Sequence, residues 1–187
     1  LGKAERTARR GGSILPPYEI TDTLTRLEHD LNVTNAETLI CLGDSFDDLA
    51  AARSVSEDAR TMITRLQAGR DWVWIEGNHD PGPVDVGGTH RGDVTLDGLT
   101  FRHIADPTSP EGEISGHYHP KAGLRGSGQR ACFLYDAHRL ILPAFGAFTG
   151  GLSATKSPLS DIMGPRSVAV LIGPKATAVP LSACFKR

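Results

Sequence analysis

Along TDTLTRLEHDL, residues Leu24, Leu27 and Leu31 fall on one face at helical spacing, and the following ETLICLGD is a short apolar run closed by Gly43-Asp44. The pattern predicts a helix and then a strand. Between Ser56 and Arg70, Ala59, Met62, Ile63 and Leu66 recur at helical spacing, Gly69 supplies a stop, and WVWI reads as the next strand. After Pro83 the period changes. VTLDGLTFRH reads as a hairpin turning at Asp97-Gly98, and EISGHYHP opens as a strand. ACFLYDAHRLILPAF and SVAVLIGPKATAVPL read as two further hairpins, turning at Asp136-Ala137 and Gly173-Pro174. The first half is therefore α/β and the second mostly β, with no internal repeat. TGGLSATKSPLSDIMGP, rich in Gly, Ser and Pro, is expected to be the nearest thing to a flexible segment.

Composition narrows the picture. A chain of 187 residues, 39% of them hydrophobic, suits a single domain spanning residues 1–187. No stretch approaches the roughly 18 to 20 apolar residues of a membrane helix, and no basic start precedes an apolar signal core. The expectation is a soluble, cytoplasmic protein without a membrane partner. Cys41, Cys132 and Cys184 are odd in number, far apart and not in metal-ligand pairs, which reads as core thiols rather than a disulfide framework or a cysteine zinc site. A net charge of -2 denies the chain the broad basic footprint of a protein that holds nucleic acid by bulk charge. The first residue is Leu1 and not Met, so the chain is expected to be the interior of a longer one.

Candidate chemistry gathers where apolar runs stop. LICLGD ends at Asp44, WVWIEGNHD at Asn78, His79 and Asp80, LTFRH at His103, and EISGHYH at His117 and His119. In an open α/β sheet ligands sit beyond the carboxyl ends of strands, so endings distant in sequence can converge. Glycines precede Asp44, Asn78 and His117, as suits a backbone that turns sharply beside an ion. On an extended strand His117 and His119 would face the same side, and Tyr118 between them would turn away into packing.

Taken in order, Gly43-Asp44-Ser45-Phe46-Asp47, Gly77-Asn78-His79-Asp80, His103 and Gly116-His117-Tyr118-His119 resemble the motifs of the calcineurin-like metallophosphoesterases. ARRGGSILPPYEITDTL and LILPAFGAFTGGLS resemble one bacterial branch, the ligase-associated DNA damage response endonucleases of the PdeM family. The resemblance implies a four-layer α-β-β-α sandwich of two mixed sheets and a site for two divalent ions, manganese by expectation, with iron or zinc also suited to imidazole and oxygen ligands. By the same resemblance Asp44 bridges the ions, Asn78, His103 and His117 hold the second, and His119 helps hold the first. His79 is then catalytic, lying over the scissile phosphate and stabilising charge or protonating the leaving oxygen, with Asp80 its orienting partner. The implied reaction is hydrolysis of DNA, single-stranded by expectation, through a hydroxide shared by the ions. A homodimer and a functional association with an ATP-dependent DNA ligase are implied as well.

One departure stands out. The family's first motif, Asp-x-His, would fall upstream of Leu1, and the chain's own Asp136-Ala137-His138 lies in the wrong place and reads as a hairpin turn. Arg6, Arg9, Arg10, Arg91, Lys121 and Arg125 lie near the ligand segments and could steer a polyanion, or be solvated surface charge. Leu15-Pro16-Pro17-Tyr18 reads as a stiff lead into the first helix. Two other functions fit the same motifs: a phosphatase or phosphodiesterase for small molecules, and a scaffold that has lost catalysis. The lack of an insertion long enough to cap the site favours a polymer over a small molecule.

Overall fold

The helical period around Leu24 becomes α1 (Glu19–Thr34), which closes on Asn35 in a left-handed conformation, φ 49°. The computed structural model describes residues 1–4, 7, 11 and 18–185. Arg6, Arg9, Arg10 and Leu15-Pro16-Pro17 lie outside the described residues. The chain divides into two units, Leu1–Asp93 with Phe145–Phe148, and Val94–Ala144 with Thr149–Arg187.

In the first unit α1 is followed by β1 (Thr38–Cys41), a short α2 (Leu49–Arg53), α3 (Glu57–Gln67), β2 (Asp71–Ile75) and β3 (Thr89–Arg91). The strands form one sheet in the order β1-β2-β3, with both pairings parallel. Trp72 and Trp74, two residues apart and so on one face of β2, pack with Leu24 and Leu31 of α1 and Ala59, Ile63 and Leu66 of α3. The apolar residues picked out by helical spacing are the ones that make this core. Two elements had no clear signal. β3 contains no apolar residue, and α2 is a five-residue helix begun by Asp48, whose Oδ1 accepts the Ala51 N–H at 2.7 Å.

The second unit is an open mixed sheet of β4 (Asp93–Leu96), β5 (Leu99–Arg102), β6 (Glu113–Ser115), β7 (Lys121–Ala122), β8 (Arg130–Tyr135), β9 (Arg139–Ile141), β10 (Val168–Leu171) and β11 (Thr177–Pro180). Its order is β11-β10-β8-β9-β6-β5-β4, with β7 paired to β8. β5, β6 and β9 run parallel to one another, and the β8–β9 and β10–β11 hairpins are antiparallel. Asp97 and Gly98 both take positive φ, 50° and 80°, as a two-residue hairpin of this twist requires. The core gathers Cys132, Leu134, Ile141, Ala169 and Leu171 from the strands with Leu159 and Met163. Burial pushes the Cys132 thiol up to about 12.

The segment expected to be flexible is built into this unit instead. Leu152 N–H donates to the Tyr118 carbonyl at 3.2 Å, Ala154 N–H to that of Lys121 at 2.8 Å, and α4 (Leu159–Ile162) drives Leu159 into the core at 0% exposure. Composition pointed to mobility because glycine and serine are free only where nothing binds their backbone. The fold class is α/β with two sheets and helices, as expected; the described strands of the first sheet are all parallel rather than mixed. No described helix is long and apolar enough to cross a membrane.

Candidate metal centre

In the first unit the chain leaves β1 through Gly43 and Asp44, both left-handed at φ 79° and 50°. Asp44 Oδ1 accepts the His79 N–H at 2.9 Å, so the carboxylate and the loop after β2 are tied together. Asp80 ties them a second time. Only 5% exposed, it accepts the N–H groups of Asp44 and Gly77 at Oδ1, each at 3.0 Å, and that of Phe46 at Oδ2 at 3.1 Å. Burial pushes the Asp80 carboxyl above its usual range and the neighbouring Asp44 charge adds to this, against the pull of those three N–H donors.

Gly77 is where the two loops touch. A Cβ there would lie 2.2 Å from Asp44 N, 2.3 Å from Asp44 Oδ1 and 2.6 Å from Asp80 Oδ1, so no other residue fits. Phe46 anchors the other side at 0% exposure, against Trp74 at 5.9 Å between ring centroids. Burying a ring of that size is worth about 1.5–3 kcal/mol, enough to hold a short loop in one place.

His79 Nδ1 lies 3.0 Å from the Asp47 carbonyl oxygen. A carbonyl only accepts, so Nδ1 carries the proton and Nε2 is the nitrogen that gains or loses one. The Asp47 backbone thus helps orient the ring, while the Asp80 oxygens accept backbone N–H groups of both loops. The sequence cannot show this, because a carbonyl partner is independent of residue type. Asn78, between Gly77 and His79, is exposed.

In the second unit His103 follows β5 and His117 follows β6, on neighbouring parallel strands. The His103 carbonyl accepts the Gly116 N–H at 3.0 Å, and Tyr118 N–H returns to the Gly116 carbonyl at 2.7 Å, a three-residue turn centred on His117 at φ 62°. The positive-φ form of such a turn is rare and strained. β6 has already ended at Ser115 and His119 is also left-handed at φ 48°, so the alternation of an extended strand does not govern this pair. Gly151 presses on His119: a Cβ there would lie 2.2 Å from the His119 carbonyl oxygen. Tyr118 packs against the core of its unit, as expected.

His117 Nδ1 and His103 Nε2 are 3.0 Å apart. Two such nitrogens meet at that distance only around a proton or a shared cation; ligands about 2.1 Å from one ion would be about 3.0 Å apart at a right angle. Within the second unit, His103 and His117 offer imidazole nitrogens that could hold a metal together. Backbone strain marks an overlapping set that lacks His103. Of six non-glycine residues with positive φ among those described, Asn35 closes a helix, Asp97 turns a hairpin, Phe148 is no candidate, and Asp44, His117 and His119 are candidate ligands.

Asp136-Ala137-His138 is a turn, with Asp136 Oδ1 accepting the N–H groups of His138 and Arg139 at 2.8 and 3.1 Å. Arg91 lies on β3 with its Nη1 on the His90 carbonyl, Lys121 on β7, and Arg125 is exposed.

No protein-family model matches the chain, and no curated protein does. Among solved structures it is similar to the crystal structure of the Pseudomonas putida nuclease MPE, with 31% identity over 81% of this chain and 75% of that one, and a TM-score of 0.65.

Proposed function

The chain belongs to the family of the Pseudomonas putida nuclease MPE, and from that premise we propose that it is a metal-dependent phosphodiesterase that cuts DNA. The observation that carries the proposal is the His117–His103 nitrogen pair at 3.0 Å, with His117 held at positive φ. Mixed imidazole and carboxylate donors suit manganese, iron or zinc, and manganese is the first choice. Asp44, His103 and His117 would hold metal, with Asn78 and His119 as further ligands. Two divalent ions there would supply Lewis acidity at the phosphate and a water of lowered pKa. His79 holds Nδ1–H on the Asp47 carbonyl and, when protonated at Nε2, has a proton to give the leaving oxygen.

The substrate we assign is single-stranded DNA, in bacterial repair beside an ATP-dependent ligase, with the enzyme a cytoplasmic homodimer. The test is manganese-dependent cleavage of a single-stranded oligonucleotide and of a simple aryl phosphodiester. It compares this chain, the chain with upstream residues, and each with His79→Ala. Cleavage that falls roughly 100-fold or more in His79→Ala with metal uptake unchanged supports the reading. Metal uptake without cleavage of either substrate points to a scaffold, and cleavage of the aryl diester alone to a small-molecule phosphodiesterase.

A further inference from the structure

Flanking His103 in the chain is an ionic cluster, buried at Glu113 and Arg139, that the proposed reaction does not use. Glu113, on β6, is 1% exposed and faces Thr100 of β5 on one side and Arg139 of β9 on the other. Its Oε2 accepts the Asp106 N–H at 2.9 Å and lies 3.6 Å from Arg102 Nε; its Oε1 lies 3.6 Å from Arg139 Nη1. Asp106 in turn takes Arg102 Nη1 at 3.1 Å and caps Thr108 through its N–H and hydroxyl at 2.8 and 2.7 Å. His103 sits in the chain between Arg102 and Asp106. Both flanks of the ligand therefore converge on one carboxylate, while its carbonyl is held by Gly116, the residue before His117.

We propose that Glu113 is a positioning residue for the metal ligand His103, setting the separation of the His103 and His117 rings; this rests on the metal reading above. Stability alone is a poor account of the cluster. Among the described residues Glu113 Oε1, Ser115 Oγ and Arg139 Nε and Nη1 are buried without a hydrogen-bond partner, and apolar side chains often replace such an incompletely satisfied ionic cluster without loss of stability.

The test is equilibrium binding of Co(II), followed by its visible absorption, which reports ligand geometry independently of turnover. Glu113→Gln removes the charge that faces both arginines. Because it leaves Arg139 uncompensated and risks unfolding, Glu113→Leu with Arg139→Met is measured beside it, replacing the pair by apolar volume. Val179→Ala, a core truncation on β11, serves as the stability control. Both Glu113 variants should raise the cobalt dissociation constant roughly tenfold or more and alter the absorption bands, and Val179→Ala should change neither. Folded Glu113 variants with parental affinity and spectrum overturn the proposal, as do affinities that simply follow stability across all three. A parent chain that takes up no cobalt overturns the metal reading itself, and this inference with it.

Discussion

The two units fix their candidate ligands by different means. In the first, a buried carboxylate staples two loops through backbone N–H groups, and Asp44 itself serves as both candidate ligand and acceptor for His79 N–H. In the second, strand pairing and a buried ionic cluster hold the chain on which strained histidines ride. The first arrangement grips backbone N–H groups rather than side chains; the second depends on matched charges. Loops of the first kind should fail by losing hydrogen bonds, and loops of the second by losing charge balance. Each also has a glycine that admits no Cβ, Gly77 against Asp44 and Gly151 against the His119 carbonyl.

The sharpest way to break the first arrangement is Asp80→Ala, which strands three buried N–H groups. About 3 kcal/mol of stability should be lost, read by urea unfolding, and metal affinity should fall with it. Gly77→Ala comes next: overpacking against Asp44 should cost about 2 kcal/mol and disable cleavage, because the carboxylate must move. Asp136 repeats the Asp80 device in the second unit, accepting the N–H groups of Gly164, His138 and Arg139. Asp136→Ala should cost about 1.5 kcal/mol and leave cobalt binding unchanged, which separates the stapling device from the metal site.

That cost should depend on pH in a definite direction. Burial acts to raise the Asp136 carboxyl, but the three backbone donors outweigh it and hold it below the usual 3.8. A depressed folded pKa contributes stability that is complete above 3.8 and lost as pH falls through the folded value, so the gap between parent and variant should close in acid. The smallest effect is expected of Gly151→Ala, at about 1 kcal/mol, because its exposed loop can yield where the buried Gly77 cannot. Metal affinity should weaken severalfold through His119; an unchanged affinity would remove His119 from the ligand set.

Much of this was legible in residue order. The spacing of Leu24, Leu31, Ile63 and Leu66 marked the first core, the Asp97-Gly98 pair marked its turn, and the strand-end positions of His103 and His117 marked two rings that meet. What stayed hidden has physical reasons. Asp47 acts through a carbonyl that every residue possesses, and β3 is a short run without apolar residues. Alternation puts His117 and His119 on one side only in extended backbone, and the chain has already turned there. Glu113 and Arg139 did leave a trace: each is a charged residue at an inward position of a strand whose other inward position is uncharged, an exception that pattern reading passed over.

The buried thiols bear on metal choice. Cys132 is held protonated to about 12 and Cys184 is shifted in the same direction by burial, and a thiol binds metal only as thiolate. Both sulfurs are buried, and in the metal-free protein neither is a thiolate at neutral pH, so any metal taken up by them would first have to displace a proton from the core.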